Sequence, residues 1–103
     1  MPTYIKKSRI HGRGLFARLR ISRGRFIGTY EGPDASRNSK YVLWVLQHDG
    51  TRRGILGRNA LRYVNHSSQP NAEFRGADLF AIRIIRPDEE ITIDYGPDWA
   101  DLN

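Results

Sequence analysis

Cysteine is absent from the 103 residues, which removes disulfides, thiolate zinc sites and cysteine nucleophiles from the options open to this chain. Acid is missing from the opening stretch, where no Asp or Glu precedes Glu31, and base is missing from the end, where no Lys or Arg follows Arg86. No apolar run approaches the roughly 20 residues of a membrane-spanning helix. The start, Met-Pro-Thr-Tyr-Ile-Lys-Lys, lacks the apolar core of a signal peptide. The expectation is therefore no membrane partner and a cytoplasmic protein of a bacterium, or one acting in a host nucleus if delivered to a eukaryotic cell. His11, His48 and His66 lack the close paired spacing of a zinc site, so no metal is expected. With no G-x-S-x-G elbow, Ser67 and Ser68 beside His66 do not make a serine hydrolase.

What is present describes one modest core. The length fits a single domain spanning residues 1–103, and a composition of 39% hydrophobic and 27% charged residues fits a globular one. The net charge of +6 is unevenly spread. Lys6, Lys7, Arg9, Arg13, Arg18, Arg20, Arg23 and Arg25 fall in the first part, and Asp88, Glu89, Glu90, Asp94, Asp98 and Asp101 in the last. One end suits an anionic partner such as nucleic acid and the other a cationic one, with two solvated faces as the plainer alternative.

Short strands punctuated by turn residues dominate. Tyr4–Lys6, Leu15–Ala17 and Phe26–Glu31 read as strands, Asp34–Ser39 as a loop, and Tyr41–Gln47 as a strand leading through Asp49-Gly50 into Thr51–Leu56. That dipeptide predicts a type I′ hairpin turn. Residues 57–64 have room for about two helical turns. Phe80–Ile85 and Ile91–Ile93 complete the strand set. The fold class is all-β, mainly strands with one short helix.

Against that background Arg62-Tyr63-Val64-Asn65-His66-Ser67-Ser68-Gln69-Pro70-Asn71 is anomalous. It is polar and turn-prone between two apolar runs, the mark of a loop that holds function or a demanding backbone path. Read in chain order, His-Gly-Arg-Gly-Leu-Phe-Ala at 11–17, Gly-Thr-Tyr-Glu-Gly at 28–32, the 62–71 segment, and Glu-Glu-Ile-Thr-Ile-Asp-Tyr-Gly at 89–96 together resemble the SET-domain protein-lysine methyltransferases. The resemblance covers nearly the whole chain, and its last two motifs are specific as a pair.

The resemblance implies a SET β-fold of small curled sheets, with a C-terminal pseudoknot where the Asn-His-Ser and Asp-Tyr-Gly segments cross. It implies S-adenosyl-L-methionine as methyl donor and a protein-lysine N-methyltransferase whose substrate is a histone tail or another basic protein. Gly12, Arg13 and Gly14 match the first cofactor motif. Asn65 matches the residue at the donor's polar end and His66 the one near the adenine, while Tyr30 matches an aromatic on the cofactor or lysine side. Tyr95 matches the catalytic tyrosine. Phe74 and Ile93 occupy candidate positions beside the substrate amine, and Trp99 is placed to cap the lysine channel or to anchor the tail.

Departures from the pattern carry their own expectations. Ser68 stands where many members have cysteine, and the zinc-binding flanks are missing. The span from Pro33 to Gly54 leaves no room for the long insertion that shapes the peptide groove. The substrate cleft is therefore expected to be open or completed by a second copy in a homodimer. The alternative is a catalytically weak SET-fold module that uses its basic face to bind nucleic acid or an acidic partner.

Overall fold

The computed structural model describes residues 2–95. Ten strands and one 3-10 turn follow the chain: β1 (Thr3–Lys7), β2 (Arg13–Ala17), β3 (Phe26–Thr29), β4 (Asp34–Ala35), β5 (Val42–Leu46), β6 (Arg52–Leu56), the turn Ala60–Tyr63, β7 (Asn65–His66), β8 (Ala72–Arg75), β9 (Asp78–Ala81) and β10 (Glu90–Ile93). They form three small sheets, ordered β1-β2-β10-β7, β3-β9-β8 and β4-β6-β5. The all-β expectation holds, and the divided sheets enclose one core of Leu15, Ile27, Leu61, Leu79, Ile85 and Ile91 with their neighbours.

Several local expectations shift for identifiable reasons. The Asp49-Gly50 hairpin forms, but only Gly50 has a positive φ, of 86°. Gly50 N–H donates to Gln47 O at 3.1 Å and Gln47 N–H to Thr51 O at 2.8 Å. This is a type I turn followed by a left-handed glycine, not the type I′ turn. Asp49 Oδ1 secures it by accepting from Thr51 N–H at 3.0 Å and from the Thr51 hydroxyl at 2.6 Å. The expected helix over 57–64 contracts to Ala60–Tyr63.

The apolar run 80–85 does not stay in one strand. It leaves the β3-β9-β8 sheet after one more ladder bond, from Ile82 N–H to Asn71 O at 2.9 Å, because Asn71 N–H turns to Thr92 O at 3.3 Å instead of returning the pair. Ile85 then makes an isolated bridge to Ile21, and Ile84 is left 47% exposed. The hairpin β8–β9, turning at Gly76 (φ 60°), was not legible as a strand pair. Its alternation Ala-Glu-Phe-Arg buries Ala72 and exposes Glu73 and Arg75.

Glu89 ties the corner between Ile85 and β10. Its carboxylate accepts from Arg86 N–H at 3.0 Å, from Arg83 at 3.2 Å and from Asn71 Nδ2 at 3.3 Å. Partial burial pulls its pKa upward, but those donors outweigh burial and hold it below the usual value of 4.5. A depressed folded-state pKa favours the ionised native form, so its contribution is present above the unfolded value and lost as pH falls through the folded one. Thermal midpoints should therefore stay level from neutral pH down to the carboxylate range and fall below about 4.5. A Glu89→Gln protein should start lower at neutral pH and lose less on acidification; an identical acid loss in both proteins would remove Glu89 from this role.

Candidate active site

The anomalous segment is locked beside the end of the chain. β7 lies parallel to β10, with Asn65 opposite Thr92 and His66 opposite Ile93, and Ser67 N–H continues the contact to Ile93 O at 2.9 Å. Asn71, only 1% exposed, closes the junction. Its Oδ1 accepts from Thr92 N–H at 2.9 Å and its Nδ2 donates to Glu90 O at 2.8 Å. A buried amide at such a crossing satisfies backbone groups that neither strand can pair by itself.

Asn65 sits one step along the same junction and is 7% exposed. Its Nδ2 faces three acceptors: His11 O at 3.0 Å, Arg13 O at 3.1 Å and Glu90 Oε2 at 2.9 Å. Acceptors alone on that side fix which end of the amide carries nitrogen. Its Oδ1 has no protein partner among the described residues. Glu90 is held in turn by the Ser8 hydroxyl at 2.8 Å. Gly14 is required here because a Cβ at that position would run into the Glu90 carboxylate. The Gly-Arg-Gly motif thus owes its second glycine to the carboxylate that orients Asn65.

Tyr95 joins the parts. Its hydroxyl donates to Val64 O at 2.6 Å, and its backbone N–H donates to His66 Nδ1 at 2.9 Å. The latter bond places the imidazole proton on Nε2. Asp94 Oδ1 lies 3.7 Å from the same Nδ1. Burial, followed by the nearby Tyr41 and Glu90, pushes the Tyr95 phenol up to about 12. It is a neutral hydroxyl at any physiological pH, with its proton committed to Val64.

Tyr95 also lines two clefts. One, of about 340 Å³, runs past His11, Gly12, Arg13, Tyr63 and Asn65. The other, also about 340 Å³, is walled by Leu43, Phe74 and Ile93, with Glu73 and Asp94 among its lining residues. Each falls within the size range of small-molecule sites. The first is polar and basic, since Lys40 and Arg62 also border it; the second presents apolar walls.

The structure therefore brings Gly12, Arg13 and Asn65 to one cleft, Phe74 and Ile93 to the other, and Tyr95 to both. Gly14 lies beneath the first, against Glu90. His66 is exposed and lines neither, its ring 5.3 Å from that of Tyr95. Tyr30 also lines neither. It is 5% exposed, donates to Tyr41 O at 2.6 Å and packs edge-on against Phe74, with ring centroids 5.7 Å apart, so it reaches the second cleft only through Phe74. Trp99 lies outside the described residues. Sequence reasoning missed Glu90, Arg62, Tyr41, Tyr63 and Leu43. Glu90 carried a signal as an acid inside the last motif, and Arg62 and Tyr63 as the opening of the 62–71 segment.

Comparison with known proteins gives a consistent result. The chain is 29% identical over 116 residues to the histone-lysine N-methyltransferase Set2 of Drosophila melanogaster, an alignment that covers 91% of this chain and 5% of that protein. It is 32% identical over 114 residues to the histone-lysine N-methyltransferase trithorax of Drosophila virilis, covering 86% of this chain and 3% of that one. Among solved structures, the methyltransferase domain of human histone-lysine N-methyltransferase SETMAR superposes with a TM-score of 0.78 at 25% identity, covering 97% of this chain and 46% of that one. A chain of the Chaetomium thermophilum polycomb repressive complex 2 shares the fold, with a TM-score of 0.82 at 24% identity over 98% of this chain and 16% of that one. This chain thus spans a small part of the relatives it matches. The family described as SET domain matches residues 12–96, the stretch that holds the crossing, both clefts and Tyr95, and the chain belongs to the SET-domain family.

Proposed function

We propose that the chain is an S-adenosylmethionine-dependent protein-lysine N-methyltransferase. The observation that carries the reading is the position of Tyr95, a residue with a neutral phenol that lines both a polar, basic cleft and a second one walled by Leu43, Phe74 and Ile93. The match to histone-lysine N-methyltransferases supports the reaction class.

The first cleft fits the amino-acid portion of the donor. Asn65 Oδ1, left without a protein partner while its nitrogen is engaged, is an acceptor for an ammonium group. Arg13 borders the same cleft and is free of ion pairs among the described residues, so its guanidinium suits a carboxylate. When bound, the donor supplies a methyl group on a sulfonium sulfur, open to attack by an amine.

The chain's own work is to deliver that amine neutral and aligned. Leu43, Phe74 and Ile93 disfavour the charged form of an entering lysine, whose ordinary pKa of ~10.4 leaves it protonated in water. Asp94, lining the same cleft, favours approach of a cationic side chain, as from a histone tail or another basic protein, while Glu73 there is paired with Arg75 at 3.0 Å. Once the amine has shed its proton to solvent, the Tyr95 oxygen accepts one of its remaining N–H bonds and aims the lone pair toward the first cleft. A phenol held up to about 12 is an orienting group and not a general base.

Calorimetric titration with S-adenosylmethionine, followed by transfer of labelled methyl to a lysine-containing histone peptide, tests the reading. Asn65→Ala should weaken donor binding at least about tenfold, since it removes an acceptor for a charged group. Absence of both donor binding and methyl transfer in the unaltered chain refutes the proposal.

A further inference from the structure

The fold divides the basic sequence at the start of the chain among separate places. Arg13 goes to the first cleft. Lys6, Lys7 and Arg9 border a small hollow with Phe16. The arginines of the β2–β3 connection go elsewhere, and they meet new partners there. Ile21 and Ile85 exchange both backbone hydrogen bonds, at 2.8 and 2.9 Å, and both side chains are buried. That bridge sets Arg23 against Arg83 and Arg86, and the three line a groove of about 870 Å³ together with Ile84, Pro87, Asp88 and Glu89. Arg20 and Arg25, also exposed, flank Arg23 in the chain.

Both acids in the groove are already engaged. Asp88 accepts from the Tyr4 hydroxyl at 2.7 Å, and Glu89 accepts from Arg86 N–H, Arg83 and Asn71. Neither Arg23 nor Arg86 has an ion-pair partner among the described residues. The groove shares no lining residue with either cleft around Tyr95.

We propose that this groove binds the phosphodiester backbone of a double-stranded nucleic acid, independently of the methyl-transfer site. The cations are all arginine, whose planar fork matches phosphate oxygens in pairs. They come from both connections that line the groove. An anionic lipid surface, which also attracts clustered basic residues, is the rival that competition by vesicles separates. The contact assigned to these arginines is to the backbone, and binding is independent of sequence.

The test is fluorescence anisotropy of labelled duplex DNA and, in a second arm, duplex RNA, over a salt series. The unaltered chain should bind at low salt, with affinity falling linearly in log–log form. The pair Arg23→Glu and Arg86→Glu should weaken binding at least about tenfold and flatten the salt slope by one to two phosphate contacts, about 0.9 each. Arg37→Glu with Arg52→Glu makes the same change in net charge at two exposed residues that do not line the groove and should cost less than about threefold. Arg23→Ala with Arg86→Ala, checked by circular dichroism, serves if the reversal does not fold. Equal loss in both charge-reversed proteins, no binding to either duplex at low salt, or equal competition by polyglutamate or phosphatidylserine vesicles overturns the proposal.

Discussion

Replacing Tyr95 with phenylalanine should lower methyl transfer about a hundredfold or more while leaving the fold and the donor cleft in place. The ring would still fill the space between the clefts and stack near His66, since only the hydroxyl is removed. Two things go with it. Val64 O loses the donor at 2.6 Å, at a cost of about 1 kcal/mol because Tyr95 is only partly buried and water can substitute. The amine loses the oxygen proposed to orient it, and an amine free to rotate seldom lies on the axis of the breaking bond.

Stability and catalysis therefore separate in this substitution: a small shift in melting temperature accompanies a large loss in turnover at saturating donor and peptide. The pH profile separates orientation from base catalysis. With the phenol held up to about 12, a rise in rate between about pH 7 and 10 reports the lysine amine, so Tyr95→Phe should lower the whole curve without changing its shape. Activity within a few-fold of the unaltered chain would remove Tyr95 from the site, and a profile that lost its ascending limb would make it the base.

How much of this was legible in the residues depends on how local each cause is. The hairpin at Asp49-Gly50 and the strands around it follow from propensity and turn chemistry within a few residues. Tyr95, Asn65 and the polar segment that holds Asn65 stand out because their motifs are contiguous. Glu90 was hidden in plain view. In an acid-rich tail it looks like one more solvated charge, and its partners Ser8, Asn65 and the space over Gly14 come from three distant parts of the chain.

The run from Phe80 to Ile85 misled for a related reason. Its apolar residues satisfy a strand template, yet the chain leaves the sheet past Ile82, where Asn71 N–H turns to Thr92 O. Tyr30 shows the same limit in a side chain. An aromatic in a motif reads as a ligand contact, while the structure seats it in the core behind Phe74. The division of the basic stretch among three surfaces is likewise a product of topology, invisible to a count of charge.

The largest effect on stability is expected at Asn71, because among the described residues it is the one side chain whose two ends serve two different backbone groups of β10. Asn71→Leu keeps the volume and the apolar surroundings but leaves Thr92 N–H and Glu90 O without their partners, in a place where Asn71 itself is 1% exposed. Each orphaned group costs about 1–3 kcal/mol, so the pair amounts to about 2–6 kcal/mol, a large share of the ~5–15 kcal/mol by which a domain is stable. Glu89 would also lose one of its donors.

Asn71→Asp sharpens the test. Its carboxylate can still accept from Thr92 N–H, but it cannot donate to Glu90 O and it sets a second negative charge beside Glu89. At neutral pH it should be at least as destabilising as leucine, and it should recover part of the loss as pH falls into the carboxylate range, opposite in direction to the acid loss expected of Glu89 itself. Chemical denaturation across pH reads both. If the leucine protein matched the unaltered chain in midpoint and slope, the crossing of β7 and β10 would be held by its packing and backbone pairing, and the amide would be incidental to it.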